Sequence, residues 1–461
     1  MFQLSFAASD TGGPLYDQLY RAIVAQIRHG ELAPGERLPG KRSLAAELSV
    51  SVNTVDTAYQ LLVAEGYLEA RPRSGFFVQH YTGPKTALPG PAPAPRPAEA
   101  PVWRYDLSTG GIDTALFPFR TWGRIQKELL YSQPQLLSHG HPQGDEDLRS
   151  AIADYLHAYR AVDCAPDQIV VGAGVEYLLG LLARLVEGPA AVEDPGYGRT
   201  RRILQSSGVP CVPVPVDRQG LVVEKLAETN ARLAYVTPSH QFPTGAVMPA
   251  GRRAALLQWA LAAPGRYILE DDYDSEFRFA LRPLPSLQGM AGSGGPVVYL
   301  STFSRSLAPS IRIAFMVLPR DLLARFVEQF GFYSSTVSRF EQQTLRVFLQ
   351  EGHFTRHLAR CRGKYRTRMQ ALTGALDSAF GPDRLHFSGQ HTGLHLLLQV
   401  KNGPGEAELV RRARAEGIRI TGLSEYCTAA SCPPNTLVAG YGALADGQIE
   451  RLAALLARLW A

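Results

Sequence analysis

STFSRSLAPSIRIAF, residues 301–315, joins two apolar runs that predict neighbouring buried strands of an α/β domain. Between the runs lie Ser304 and Arg312, and both residue types hold anions, since a guanidinium binds phosphate or carboxylate in bidentate fashion. The stretch therefore predicts a strand–loop–strand unit with an anion-binding loop. It also raises the question of what Arg305 does at the centre of that loop.

Outward from this loop, apolar runs alternate with helical stretches from residue 105 onwards. The alternation predicts an α/β domain with a mostly parallel sheet, because parallel strands are joined by helical crossovers. After residue 320 the pattern becomes helical and then mixed, which predicts a smaller C-terminal α+β subdomain. The candidate strands are QIVVG (168–172), AAVE (190–193), CVPVPV (211–216), LAYVTP (233–238), YILEDDY (267–273), PVVYLS (296–301) and IAFMVL (313–318).

A proline-rich segment divides the chain, since seven prolines fall between Pro84 and Pro101. Such a segment favours extended polyproline II and cannot pack a core. The sequence thus predicts an N-terminal domain at 1–80, a semi-rigid linker at 81–104 and a C-terminal domain at 105–461.

Residues 1–80 have the element order of a winged helix-turn-helix. The predicted elements are a helix at 14–30, a short helix at 41–50, a helix at 51–66 and a hairpin at 67–78. In the helix at 51–66, Val55, Ala58, Leu61 and Leu62 are expected on the buried face. The first helix carries leucine and isoleucine at i, i+4 spacing, which is typical of an amphipathic helix.

A winged helix reads DNA through the start of its recognition helix and through its wing. Short polar side chains there reach phosphates or base edges, and basic side chains grip the backbone. The alternative is a helical interaction domain, because the segment is not basic overall. The expected DNA-binding residues are Ser51, Asn53 and Thr54 at the helix start, Lys41 and Arg42 in the preceding helix, and Arg71, Arg73 and Gly75 at the wing.

The bulk properties argue against a membrane or secreted protein. No run of about 18 uncharged apolar residues is present, and the N-terminal stretch lacks the basic and apolar regions of a secretion signal. We therefore expect a cytoplasmic location. The five cysteines lack metal-ligand spacing, so no metal site is predicted and buried free thiols are expected. A redox pair of Cys427 and Cys432 is the alternative.

Four further segments carry residue types suited to a flat, anionic ligand. They are GAGVEYLLGLL (172–182), EDPGYG (193–198), TPSHQFPTG (237–245) and EDDYDSEFR (270–278). Gly174, before a helix, can present a backbone N–H to a phosphate, and Tyr197 can stack on a ring. Asp271 can pair with a protonated ring nitrogen and Tyr273 with a ring hydroxyl. The alternative for each segment is structural, since acids and glycines often end strands.

Together these features resemble the MocR subgroup of GntR regulators, in which a winged helix is linked to a fold type I aminotransferase-like domain. The resemblance covers about residues 10–80 and 105–461. LPGKRSLAAELSVSVNTV, GYLEARPRSGFFV, TPSHQFPTG, LEDDYDSEFR and PSIRIAF carry it. It implies double-stranded operator DNA as a partner, a homodimer and a site for pyridoxal phosphate. In the winged helix, Val52 departs from the family, which usually has a DNA-contacting arginine there.

The resemblance also implies roles in the cofactor pocket. They are Asp271 for the pyridine nitrogen, Tyr273 for the ring O3′, Ser304 and Arg312 for the phosphate, and His240 and Gln241 beside the ring. The family's Schiff-base lysine is replaced by Arg305, and a guanidinium, being always protonated, cannot act as the amine nucleophile. None of the six lysines (41, 85, 127, 225, 364 and 401) lies in a matching motif.

The phosphate turn departs from the family as well. Ala173-Gly174-Val175-Glu176 stands where the family usually has Ser-Gly-Ala-Gln, and His139 stands where the partner subunit usually offers a tyrosine. A carboxylate beside a phosphate is repulsive. We expect Glu176 to supply the anion that phosphate would have supplied, by pairing with Arg305 or Arg312. Covalent binding of pyridoxal phosphate is not expected, and weak non-covalent binding, a different effector and no effector all remain open.

The sequence is therefore interpreted as a transcriptional regulator whose aminotransferase-like domain dimerises and senses a small molecule. The alternative is a pyridoxal-phosphate-dependent aminotransferase with an appended DNA-binding domain, against which the arginine in place of the lysine argues. A third interpretation is a ligand-independent architectural dimer.

Overall fold

The computed structural model describes residues 13–81, 102–279, 284–381, 383–429 and 432–460. The chain divides into two compact units, residues 1–100 and 101–461. Most of the predicted linker at 81–104 lies outside the described residues, so the linker stays a prediction. Within those ranges, none of the helices is long and apolar enough to cross a membrane.

The smaller unit is a winged helix-turn-helix, as predicted. Its elements are α1 (Leu15–His29), β1 (Arg37–Leu38), α2 (Lys41–Leu48), α3 (Val52–Ala64), β2 (Leu68–Arg71) and β3 (Gly75–Val78). The strands form an antiparallel sheet in the order β1-β3-β2. Helix α1 ends at Gly30, whose left-handed φ of 77° closes it. Helix α3 begins after Ser51, whose Oγ accepts the backbone N–H of Thr54 at 3.0 Å.

The buried face of α3 differs from the predicted one at a single position. The buried residues are Val55, Ala58, Tyr59 and Leu62, which follow the i, i+3, i+4, i+7 spacing of a helix face. Leu61 falls outside that spacing and is exposed, so its placement in the core was wrong. The fully buried Tyr59 ring is packed there instead, and its hydroxyl donates to the carbonyl of Pro39 at 2.9 Å.

The larger unit alternates strands and helices as far as β12 and then becomes mainly helical. Its elements are β4 (Tyr105–Asp106), α4 (Phe119–Ser132), α5 (Glu146–Arg160), β5 (Ile169–Gly172), α6 (Val175–Leu185), β6 (Ala190–Asp194), α7 (Gly198–Ser206), β7 (Cys211–Asp217), β8 (Gly220–Leu221), α8 (Val223–Ala227), β9 (Leu233–Val236), α9 (Ala250–Leu261), β10 (Tyr267–Asp272), α10 (Leu287–Ala291), β11 (Val297–Thr302), β12 (Ala314–Val317), α11 (Arg320–Phe330), α12 (Arg339–Gln350), α13 (His353–Phe380), β13 (Leu385–Ser388), β14 (His395–Val400), α14 (Glu406–Ala415), β15 (Ile418–Arg419), β16 (Thr421–Gly422), β17 (Thr436–Gly440) and α15 (Ile449–Leu459).

The large sheet has the order β5-β12-β11-β10-β9-β6-β7-β8. Strands β11, β10, β9, β6 and β7 run parallel to one another, whereas β12 is antiparallel to both of its neighbours. Strands β5, β6 and β9 to β12 are buried at every residue, which is expected of strands covered by helices on both faces. The predicted strands are therefore confirmed, and the carboxyl ends of the parallel strands meet at one edge.

A smaller C-terminal subdomain follows the long helix α13. Strands β13, β14, β17 and β16 form an antiparallel sheet in that order, and α13, α14 and α15 share a hydrophobic core with it. Strand β15 pairs with β4, so the first strand of the unit joins this subdomain. The predicted α+β character of the subdomain is confirmed.

The cysteines correct one prediction. Cys427 and Cys432 are joined by a disulfide, so free thiols were wrongly expected at these two positions. The pairing depends on the loop that brings the two positions together, which the spacing alone does not decide. Cys164, Cys211 and Cys361 are free, and burial raises the pKa of each thiol.

Candidate functional site

A cavity of about 650 Å³ lies where the carboxyl ends of β9, β10 and β11 meet. Open α/β sheets bind ligands at this edge. The structure brings most of the predicted pocket residues to its wall. They are Glu176, Tyr197, Asp271, Tyr273, Ser304, Arg305 and Arg312.

Asp271, at the end of β10, is a buried wall residue with one unused oxygen. Its Oδ2 accepts a hydrogen bond from the Tyr235 hydroxyl at 2.6 Å, and its Oδ1 has no hydrogen-bond partner among the described residues. Burial, together with the charges of Asp272 and Asp274, raises the pKa of Asp271 to about 7, although the Tyr235 hydrogen bond acts in the opposite direction. The carboxyl is therefore suited to share a proton with a ligand nitrogen.

Arg312 is already paired with a carboxylate of the chain, that of Glu176 at the start of α6. Its Nη2 donates to Glu176 Oε2 at 2.7 Å, and Arg199 Nη1 approaches Glu176 Oε1 at 3.3 Å. Burial opposes ionisation of Glu176, but the hydrogen bond and charge of Arg312 outweigh it and hold the carboxyl pKa below its usual value. At Gly174, where φ is 93°, a Cβ would meet Arg312 Nη2 at 2.1 Å, so only glycine admits this guanidinium. Of the two predicted pairings of Glu176, the one with Arg312 is formed.

Arg305 has no carboxylate partner among the described residues. Its Nη1 approaches the Gly111 carbonyl oxygen at 3.5 Å, which is at the long limit of a hydrogen bond. The predicted pairing of Glu176 with Arg305 is not formed. Ser304 Oγ lies 2.9 Å from Thr302 Oγ1 instead of contacting an arginine. The loop therefore presents an unpaired guanidinium to the cavity.

Among the described residues, His240 and Gln241 lie behind the cavity wall, with His240 Nδ1 3.0 Å from the hydroxyl of the wall residue Tyr273, so their place beside a ring stays a prediction. His240 is 1% exposed, and its Nδ1 bonds Asp274 Oδ2 at 2.9 Å. Gln241 Nε2 donates to the Pro195 carbonyl at 3.0 Å and to the Phe242 carbonyl at 2.6 Å. The Asp274 carboxylate and the Pro195 carbonyl that hold these side chains come from segments distant in sequence, which the motif does not reveal.

The same region contains three potential metal ligands, although no metal site was predicted. Ligand atoms of His240, Asp274 and His395 lie within 4.8 Å of one another. His240 Nδ1 is engaged by the carboxylate of Asp274, and His395 Nε2 lies 3.1 Å from the Pro243 carbonyl. The arrangement is a hydrogen-bonded core network.

Other wall residues were missed by the sequence reasoning. Arg199 follows the EDPGYG motif directly, and Tyr235 lies inside the predicted strand β9. The sequence therefore indicated the segments that contain these residues, but not that their side chains line the cavity. Eight further missed residues come from distant segments that carry no motif. These are Asp106, Ser108, Thr109, Gly110 and Gly111 from the start of the unit, and Arg419, Thr421 and Tyr426 from the C-terminal subdomain.

The cavity wall fits the pyridine ring of a pyridoxal phosphate molecule but does not fit its phosphate and its Schiff-base linkage. The unpartnered oxygen of Asp271 and the hydroxyl of Tyr273 suit a pyridine ring with a hydroxyl group. At the other end, Arg312 is neutralised by Glu176, and Arg305 cannot form the Schiff base. Bound pyridoxal phosphate supplies an electron sink for amino-group chemistry, and these residues do not hold it in the way that chemistry requires.

The predicted DNA-binding residues lie on α2, on the start of α3 and at the wing tip. Ser51 and Asn53 are exposed, and Arg42 and Arg73 are exposed without an ion pair among the described residues. Gly75 and Arg73 have positive φ values of 113° and 61°, which the tight wing turn requires.

Two of the predicted basic contacts are engaged within the unit. Lys41 pairs with Asp56 and lies 5.2 Å from the Phe76 ring centroid. Arg71 bonds Glu69 at 2.9 Å and stacks over the ring of Phe77. Arg42 and Arg73 are therefore the basic side chains most available to a phosphate backbone.

Comparison with known proteins agrees with both units. Residues 15–78 match the family described as bacterial regulatory proteins, gntR family, and residues 105–454 match aminotransferase class I and II, a fold family associated with pyridoxal phosphate. The solved structure of a multiple substrate aminotransferase from Thermococcus profundus has a TM-score of 0.68 at 22% identity, covering 79% of this chain and 92% of that one. At that identity the likeness concerns the fold alone.

Relatives of similar length contain both units. An HTH-type transcriptional regulator of Bacillus subtilis, YdeL, is 37% identical, with 97% of each chain covered. The probable rhizopine catabolism regulatory protein MocR of Rhizobium meliloti is 36% identical over 90% of this chain and 87% of its own. The pyridoxine biosynthesis transcriptional regulator PdxR of Corynebacterium glutamicum is 34% identical over 92% and 91%.

The fold and these relatives define a class of protein, a winged helix joined to an aminotransferase-like domain. Within that class, the chain belongs to the MocR-type transcriptional regulators of the GntR family. Its GntR domain implies binding to DNA.

Proposed function

We propose that this regulator senses a small molecule held non-covalently in the cavity of its aminotransferase-like domain and that it does not catalyse transamination. The observation that carries the proposal is the charge arrangement of the wall. Arg305 stands unpaired where catalysis would need an amine, and Arg312 is paired with Glu176 where catalysis would need a free phosphate-binding guanidinium.

Sensing requires that the ligand bind one state of the protein more tightly than another. The cavity wall draws on the large sheet, on the 108–111 loop and on the C-terminal subdomain, through Arg419, Thr421 and Tyr426. A ligand that contacts all three parts favours the arrangement in which they approach one another. The difference in binding free energy between the two arrangements is what allows the ligand to change the affinity for DNA.

A homodimer is part of the proposal, because a two-fold assembly presents two winged helices to two half-sites. Exposed apolar side chains on and after α4 support it. Tyr131 and Leu137 are each 79% exposed, and Phe119 is 66% exposed. Exposed apolar groups of this size typically mark a surface that another protein covers.

The test is borohydride reduction of the full chain with pyridoxal phosphate, followed by intact mass measurement, alongside fluorescence anisotropy with DNA from its own promoter region. We expect salt-sensitive DNA binding and no borohydride-trapped adduct at any lysine. The Arg305→Lys variant is the matched control for the chemistry, since it restores an amine at that position. A trapped adduct on the wild-type chain, or no DNA binding, would contradict the proposal.

A further inference from the structure

The cavity wall carries seven charged residues. These residues are Asp106, Glu176, Asp271, Arg199, Arg305, Arg312 and Arg419. Glu176 forms ion pairs with both Arg312 and Arg199, with N–O distances of 2.7 and 3.3 Å. Asp106 forms an ion pair with Arg419 at 3.4 Å. One anion and one cation of the described wall have no ionic partner, and they are Asp271 and Arg305.

Two aromatic side chains line the same cavity as these groups. Tyr197 and Tyr273 line the cavity, and burial raises the pKa of each hydroxyl, while Arg305 lowers it and Asp271 raises it further. Phe242 and Tyr426 extend the aromatic wall, with ring centroids 5.1 Å apart. A flat ring is therefore the shape that this wall favours.

The place for a phosphate is already filled. A phosphate near Arg312 would lie beside the Glu176 carboxylate, and two anions at such a distance repel each other. Displacing Glu176 would break its pairs with both Arg312 and Arg199. The wall therefore disfavours phosphorylated ligands.

We propose that the cavity binds an unphosphorylated, carboxylated nitrogen heterocycle, with its ring nitrogen on Asp271 Oδ1 and its carboxylate on Arg305. This inference rests on the proposed function in one respect, that the cavity is a sensor without a Schiff base. Asp271 is 6% exposed, and its Oδ1 lacks a partner, so a ligand N–H relieves a buried unsatisfied acceptor. Arg305 offers a bidentate fork to a carboxylate. The Asp271 Oδ1 and the ring nitrogen share one proton.

Isothermal titration calorimetry of the full chain at pH 7 tests this with matched probes. Pyridoxate carries a carboxylate where pyridoxine carries an alcohol, so this pair tests the carboxylate. Isonicotinate has a ring nitrogen that benzoate lacks, so this pair tests the nitrogen. Pyridoxal phosphate tests the effect of a phosphate group. We expect pyridoxate to bind roughly ten- to hundredfold more tightly than pyridoxine, which is the effect of one charge-assisted pair. We expect isonicotinate to bind more tightly than benzoate and pyridoxal phosphate to bind more weakly than pyridoxate.

The variant Arg305→Gln is expected to remove the preference for pyridoxate over pyridoxine, and Arg202→Gln, an exposed arginine outside the wall, is expected to keep it. Melting temperatures check that each variant is folded. The proposal is overturned if the wild-type chain binds none of the probes, if pyridoxal phosphate binds most tightly, or if Arg305→Gln keeps the preference. DNA binding without probe binding overturns this inference alone, whereas probe binding without DNA binding overturns the proposed regulator.

Discussion

At the scale of single residues, we propose that Glu176 decides which anions the cavity accepts. It places a carboxylate 2.7 Å from Arg312 at the start of α6, where a helix N-terminus favours negative charge. The side chain is about two-fifths exposed, so the pair is worth little to stability and its main effect is on ligand choice.

The variant Glu176→Gln is expected to bind inorganic phosphate roughly tenfold more tightly than the wild-type chain, because it frees Arg312 and removes the repelling charge. Calorimetric titration with phosphate measures it. The matched control is Glu187→Gln, an exposed glutamate outside the wall. Unchanged phosphate affinity would show that Glu176 does not occupy the anion site.

Asp271 is expected to make stability fall as pH rises. Its folded-state pKa is raised to about 7, so between about pH 4 and pH 7 the folded chain binds the proton that the unfolded chain has lost. Stability therefore decreases across that window. In Asp271→Asn this loss is absent, so the variant should gain about 3 kcal/mol relative to wild type between pH 4 and pH 8.

Urea unfolding of both proteins at several pH values measures this difference. The other buried carboxyls whose pKa is raised to about 7, Glu193 and Glu276, titrate in both proteins and largely cancel in the comparison. Tyr235, Asp272 and Asp274 also face this carboxyl. A difference that does not vary with pH would mean that Asp271 is ionised throughout.

At the scale of elements, the winged helix separates side chains used for its own stability from those available to DNA. Lys41 and Arg71 are held by Asp56 and Glu69, whereas Arg73 projects from the tip of the β2–β3 hairpin. At the start of α3 the exposed Val52 adds apolar surface beside Asn53.

The variant Arg73→Gln is expected to weaken DNA binding several-fold on all sequences and to reduce the slope of log affinity against log salt by about one. Fluorescence anisotropy at several salt concentrations measures both. Arg21→Gln is the matched control, since Arg21 is exposed on α1 and pairs with Asp17. An unaltered slope would place the wing tip away from the phosphate backbone.

At the scale of the whole molecule, the larger unit exposes apolar groups that a single chain leaves uncovered. Several of them, including Phe119, Tyr131 and Leu137, lie on α4 and on the turn that follows it. Covering such groups with a second copy removes them from water at about 25 cal/mol per Å². A dimer formed in this way also sets the spacing of two half-sites.

Replacing Tyr131, which is 79% exposed, by aspartate is expected to shift the chain from dimer to monomer, because a charge buried in an apolar interface is left unpaired. Sedimentation equilibrium measures the shift. Leu261→Asp, at a position 70% exposed on α9, serves as the control and should remain dimeric. A Tyr131→Asp variant that stays dimeric would place the interface elsewhere.

The local sequence pattern was sufficient to predict much of the secondary structure and the fold class of this protein. Helical spacing, strand runs and turn residues determined the winged helix and the α/β domain, because each element is specified by residues within one or two turns of it. That Arg305 offers no nucleophilic amine was likewise readable from the sequence, since chemical reactivity belongs to the residue itself.

Only the tertiary structure decided which charges meet. It paired Glu176 with Arg312, left Arg305 without a carboxylate partner among the described residues, and buried His240 and Gln241. It also joined Cys427 to Cys432. Each of these outcomes depends on distances of a few ångströms between side chains on separate loops and strands. Such distances are set by the packing of the whole domain, which no local sequence pattern contains.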